Sequence, residues 1–205
     1  MILQVLIFIA LSFSLSACLP AVFTVATTIG IVASKDQPMS ETLNDSRISA
    51  SIKADLVKNN FRDLGAKIKV EVSQGRVLLT GNIQKESDAL KAVEIAWNQK
   101  SVKEVINELK VNKNSNHFDL AQYTKDSMIT TQIKAKNLVR KDIQFANYTI
   151  LTIDNIVYLF GVARSEEELE KLASIASKIK GVEKVVCYAK IMNNFNTNND
   201  NSEES

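Results

Sequence analysis

The 205 residues are 45% hydrophobic and 23% charged, with a formal net charge of +2, the balance of an ordinary globular chain. So small a charge gives no bulk attraction to nucleic acid. The single histidine supports neither a His-based triad nor a multi-His metal site, and two cysteines make no disulfide framework.

Residues 1–34 contain no charged side chain. An apolar run at 5–13, interrupted only by Ser12, leads into Leu15-Ser16-Ala17-Cys18. This tetrapeptide has the form of a lipobox, in which small residues precede a cysteine whose thiol takes a diacylglycerol after cleavage. On that reading residues 1–17 are a lipoprotein signal peptide and Cys18 is the lipidation site, the covalent lipid being the one attached group the sequence implies. Several acyl chains make a stable anchor where one does not, each buried CH₂ adding roughly 0.8 kcal/mol. Residues 1–4 lack the usual Lys or Arg, so an ordinary secretory signal or an uncleaved anchor remains open. Residues 19–34 are apolar but shorter than the ~20 residues that a spanning helix requires. They either lie against a bilayer or act as a spacer. With 35–44, polar and containing Pro38, they complete an anchor segment and linker at 18–44.

The remainder is an internal repeat. Asp45-Ser46-Arg47-Ile48 answers to Asp126-Ser127-Met128-Ile129, and Ile52-Lys53-Ala54 to Ile133-Lys134-Ala135. After a slip of one residue, Val77-Leu78-Leu79-Thr80-Gly81 answers to Val157-Tyr158-Leu159-Phe160-Gly161. The units span 45–111 and 126–192, with a hydrophilic connector at 112–125 and an Asn- and acid-rich tail at 193–205 whose composition predicts disorder.

Each unit reads helix, strand, strand, helix, strand. Ile48, Ile52 and Leu56 recur at i, i+4, i+8 on one helical face, and Asp45 or Ser46 is placed to cap that helix. Residues 68–72 alternate as a strand, and Ser73-Gln74-Gly75-Arg76 forms a turn. Gly81 and Gly161 end the second strands, where a Cβ is expected to obstruct the following helix, a structural role. Ser165 and Glu168 have capping-box spacing before a helix whose core face holds Leu169, Leu172, Ala173 and Ala176. In the first copy that face holds Ala89, Val93, Ala96 and Trp97, the lone tryptophan, expected in the core or between domains. The closing strands run over 105–111 and 185–191, and the alternation puts Cys187 on the same face as Val185, Ala189 and Ile191, as a buried thiol. The fold class is therefore α+β: two tandem αββαβ domains, each a three-stranded sheet with two helices packed on one face.

A unit of this order, with Gly75-Arg76-Val77-Leu78-Leu79-Thr80-Gly81 at its centre and Ser101-Val102-Lys103-Glu104-Val105 before its last strand, resembles the BON domain. Two such units behind a lipobox are similar to the DolP-like, dual-BON outer-membrane lipoproteins of Gram-negative bacteria. The second copy departs at its turn, where Asp154-Asn155 stands in place of the Gly-containing pair. The resemblance implies a non-catalytic, lipid-anchored protein on the periplasmic face of the outer membrane. It further implies binding of anionic phospholipid by the first helix of the second domain, support of membrane integrity, and association with the barrel-assembly machinery. The positions that match that helix are Met128, Ile129, Ile133 and Leu138, with Lys134 and Lys136 beside them; Met128 stands where the family's lipid-facing aromatic is found.

The residues partly agree. At about 100° per residue, Ile129 and Ile133 fall on the core face, while Met128, Ala135 and Val139 cluster on another. Lys134, Lys136, Arg140 and Lys141 flank this spare apolar surface, a combination suited to an anionic bilayer. The alternative is a scaffold whose spare face docks a protein, an outer-membrane assembly component or a second copy, without contacting lipid headgroups. No Gly-rich phosphate loop is present, and the acidic pairs near Glu166 fit a helix N-terminus, so neither an enzyme nor a metal or other cofactor is expected.

Overall fold

The computed structural model describes residues 35–58, 67–112 and 119–192. Cys18 and the leader, the segment at 19–34, His117 and the tail at 193–205 lie outside the described residues.

The first domain comprises α1 (Met39–Lys58), β1 (Lys69–Ser73), β2 (Arg76–Ile83), α2 (Glu86–Trp97) and β3 (Glu104–Val111). The second comprises α3 (Leu120–Leu138), a single 3₁₀ turn (Phe145–Asn147), β4 (Tyr148–Ile153), β5 (Ile156–Ala163), α4 (Glu166–Ser177) and β6 (Lys184–Ile191). Each sheet is ordered β1-β2-β3 or β4-β5-β6, antiparallel across the hairpin and parallel across the helical crossover. The predicted αββαβ pattern is thus present twice.

One face of each sheet takes the helices. In the first domain Ile48, Ile52 and Leu56 of α1 and Ala89, Ala92 and Ala96 of α2 close over Val70, Val77 and Leu79. In the second, Ile129 and Ile133 of α3 and Leu172 and Ala176 of α4 close over Ile150, Val157 and Leu159. The opposite faces meet each other. Leu78, Tyr158 and Phe160 are buried together, with Ile106, Leu151, Ile153, Val186 and Tyr188 around them. The order of layers is helix, sheet, sheet, helix. Central strands covered on both sides need apolar residues without alternation, which Val157-Tyr158-Leu159-Phe160 supplies.

Polar groups seal this interface. Arg76, 6% exposed, donates to the Tyr188 carbonyl at 2.8 Å and to Glu104 at 2.7 Å, and its guanidinium lies 5.4 Å from the centre of the Phe160 ring. Hydrogen bonding from Arg76 holds the Glu104 carboxyl below its ordinary value. Both the Tyr158 and Tyr188 hydroxyls donate to Glu108. Asn82 donates to Asp154 at 2.9 Å.

Three local expectations change. The first helices start earlier than predicted, at Met39 and Leu120, so Asp45 caps nothing. Its buried carboxylate instead accepts the N–H groups of Gln74 and Gly75, both at 2.8 Å. Asp126 does the same for Asp154 and Asn155, at 2.8 and 2.9 Å. Each helix thereby holds the hairpin turn of its own sheet. Those turns have positive φ at both central residues, 55° and 75° at Gln74-Gly75 and 50° and 63° at Asp154-Asn155, the geometry of a type I′ turn, which Asn and Asp tolerate as well as Gly.

The glycine obstruction is real but lies elsewhere. A Cβ on Gly81 would stand 2.0 Å from the Lys67 carbonyl oxygen, and one on Gly161 2.2 Å from that of Asn147. The close approach is to backbone at the start of the neighbouring antiparallel strand, not to the next helix. At φ of 137° and 129°, both positions favour glycine for its backbone alone.

Candidate membrane-binding face

The helix α3 opens with Asp119, whose side chain accepts the Gln122 N–H at 2.9 Å, a standard N-cap. Its buried stripe is Asp126, Ile129, Ile133 and Asn137. Ile129 and Ile133 are 3% and 0% exposed and belong to the core. They are corrected from membrane-facing to structural residues: a side chain that closes the sheet has no surface left for lipid.

The other matched positions do face outward. Met128 is 59% exposed, Leu138 76% and Val139 83%; Lys134 and Lys136 are exposed. At about 100° per residue, the direction opposite the core is occupied by Thr124, Met128, Thr131 and Ala135, with Leu120 and Leu138 beside them. No charge falls within this strip. Lys125, Lys134 and Lys136 stand at its borders, and Asp126, the helix's one acid, is buried. The repeat places Arg47 of α1 where α3 has Met128, so the corresponding strip of the first domain is interrupted by a charge.

Tyr123 also belongs to this surface. It is 51% exposed and lines a shallow groove with Thr124, Ser127, Met128, Thr131 and Gln132. Reading residues up to 125 as connector hid it. The signal was available: Leu120, Thr124 and Met128 already keep helical spacing, and Asp119 marks the start. The surface therefore does carry an aromatic with a polar tip, the side-chain type favoured at a membrane–water boundary.

Charge around the face is one-sided. Arg140 is neutralised by Asp142, in contact at 2.6 and 3.0 Å, which holds the Asp142 carboxyl below its ordinary range. Among the described residues no carboxylate comes within ion-pair distance of Lys134, Lys136 or Lys141.

Two other expectations fail. Trp97 is 51% exposed; as the last residue of α2 it lies beyond the stripe of Ala89, Ala92 and Ala96 that meets the sheet. Cys187 is exposed, because β6 is an edge strand whose companions Val185 and Ala189 are themselves only partly buried. Among the described residues, no group of three or more His, Cys, Asp or Glu is arranged to hold a metal ion, and no helix is long and apolar enough to cross a membrane.

The model of the BON domain matches this chain twice, over residues 44–113 and 125–193. The chain belongs to the BON-domain family. A protein of Anaplasma centrale, described only as an uncharacterized protein in the gshII 5′ region, is 38% identical over 149 residues, covering 73% of this chain and 95% of its own. The outer membrane lipoprotein DolP of Haemophilus influenzae is 28% identical over 172 residues, 84% of this chain and 87% of that one. The osmotically-inducible protein Y of Escherichia coli is 30% identical over 144 residues, 70% of each chain. In the BON frame both Asp45 and Asp126 fall just inside the matched units, whereas the opening turns of α1 and α3, Tyr123 among them, precede the matches.

Proposed function

We propose that this BON-domain protein is a non-catalytic cell-envelope adaptor, anchored by lipid at Cys18 in the outer membrane and facing the periplasm. Its second domain binds anionic phospholipid through the outer strip of α3. The observation that carries this reading is the strip itself, an exposed and uncharged helix face whose bordering charges are all lysines, which suits a surface of acyl chains beneath anionic headgroups. The lipobox at Leu15-Ser16-Ala17-Cys18 and the relative named an outer membrane lipoprotein support the anchor and its compartment. Support of outer-membrane integrity, and the barrel-assembly machinery as a protein partner, belong to the same proposal.

The test is co-sedimentation of residues 35–205 with liposomes, with and without phosphatidylglycerol, at low and high salt. Binding is expected to require the anionic lipid, to weaken as salt screens the lysines, and to be lost in Met128→Glu while the melting temperature holds. Absence of binding in every condition would replace lipid with a protein as the occupant of the strip, leaving Cys18 as the membrane contact.

A further inference from the structure

Asp36 precedes α1 by three residues, yet it is bound to the second domain. Its N–H donates to Asn147 Oδ1 at 2.9 Å, and Asn147 Nδ2 donates to its carboxylate at 2.9 Å. Gln144 Nε2 reaches the same carboxylate at 3.5 Å, and Arg164 Nε lies 3.7 Å away. Asn147 is 4% exposed, so its buried amide depends on this segment for its partners. Arg164 is in turn held by Glu168 at 2.9 Å. At the repeat positions of Asn147 and Arg164 the first domain has Lys67 and Gln84 instead.

The chain before Lys35 is free of charge over its 34 residues, and it joins the folded domains at this pinned point. The point lies beside the connection from α3 to β4. Four residues lie between Val139 and Gln144, so the two are at most roughly 18 Å apart along the chain. The end of α3 and the start of that connection carry the two most exposed large apolar side chains described, Leu138 and Val139, next to Lys134, Lys136 and Lys141. Thr124, toward the start of α3, is about 22 Å away along the helix axis.

We propose that the Asp36–Asn147 clamp sets the C-terminal end of α3 toward the bilayer, so that Leu138 and Val139 enter the anionic membrane reached by the uncharged leader, with Lys134, Lys136 and Lys141 among the lipid phosphates. The proposal rests on α3 being the lipid-binding element and adds which end enters and what orients it.

Trp97 is the one tryptophan and is exposed, so Trp97→Phe gives a silent background. In the full chain, Val139→Trp and Thr124→Trp are placed there separately and mixed with phosphatidylglycerol vesicles whose acyl chains are brominated. Tryptophan at 139 is expected to shift to the blue and lose intensity to the bromine, and tryptophan at 124 to do so less. Adding Asp36→Ala, or Asn147→Ala as a second route to the same loss, is expected to remove the difference between the two positions while the protein still sediments with vesicles and melts cooperatively. Equal or stronger quenching at 124 overturns the proposal, as does a difference that survives loss of the clamp in both variants. A protein that does not sediment with anionic vesicles at all overturns the lipid-binding reading of α3 and this inference with it.

Discussion

Asp45 and Asp126 show how one residue ties two elements together. Each is buried on the inner side of a helix and holds two turn N–H groups at 2.8–2.9 Å. Charge-assisted bonds of this kind are stronger than neutral ones. Asp126→Ala is expected to cost about 2–4 kcal/mol, because it strands two backbone donors as well as removing the acceptor; urea unfolding would read it. Gly161→Ala should be at least as damaging, roughly 3 kcal/mol or more, since the strained φ and the clash with the Asn147 carbonyl add. A variant that unfolds at the wild-type urea concentration would contradict either expectation. Both aspartates were visible in the repeat as aligned Asp-Ser pairs, but a sequence gives the spacing of a polar residue and not its partner. A cap was the nearest local partner, and the long-range one won because the helix starts six residues earlier.

At the scale of elements, α4 is the most fully legible. Ser165 accepts the Glu168 N–H at 3.2 Å as its spacing predicts. Glu168, the partner that the capping-box spacing predicts, is buried. Burial pushes its carboxyl up, but hydrogen bonds from the Tyr148 hydroxyl and Arg164, with the Gln144 N–H, outweigh that and hold it below its ordinary value. Its contribution to stability is therefore complete above the unfolded carboxylate pKa near 4.5 and is lost as pH falls through the folded value. Glu168→Gln is expected to be less stable near neutrality and to lose less stability than the wild type on acidification; parallel pH profiles of melting temperature would refute this. The face of α3 was half legible. Periodicity separates Met128 from Ile129 and Ile133 without help, whereas the family match alone groups all three. Tyr123 was missed through a boundary drawn too late, the commonest weakness of reading helix ends from composition.

The whole molecule is joined where its two sheets meet, and little of that joint was foreseen. The apolar run through β5 announced a strand covered on both sides, but nothing local to the sequence names the other domain as the cover. At the joint, hydrogen bonding to Glu108 and desolvation push the Tyr188 phenol up to about 12 from 10.0, and burial with Glu108 pushes Tyr158 up as well. A raised value means stability complete below the unfolded pKa near 10.0 and lost as pH rises above it. The domains are expected to loosen between about pH 10 and 12, seen as faster amide-exchange-independent proteolysis or a larger scattering radius. Tyr158→Phe with Tyr188→Phe should remove much of that alkaline sensitivity, and an unchanged profile would show that the joint is held by its apolar contacts alone.

That joint also sets an order of events. A chain made and exported from its N-terminus presents the first domain before the second, and until β5 and β6 arrive the side of Leu78 and Ile106 has nothing against it. Newly made chain thus passes through a stage at which one finished half bears an oily, uncovered sheet. The same sheet would be bare in any fragment cut at the connector. Made alone, residues 35–112 are expected to self-associate or to need a holding chaperone, and to become monodisperse when residues 119–192 are supplied in trans.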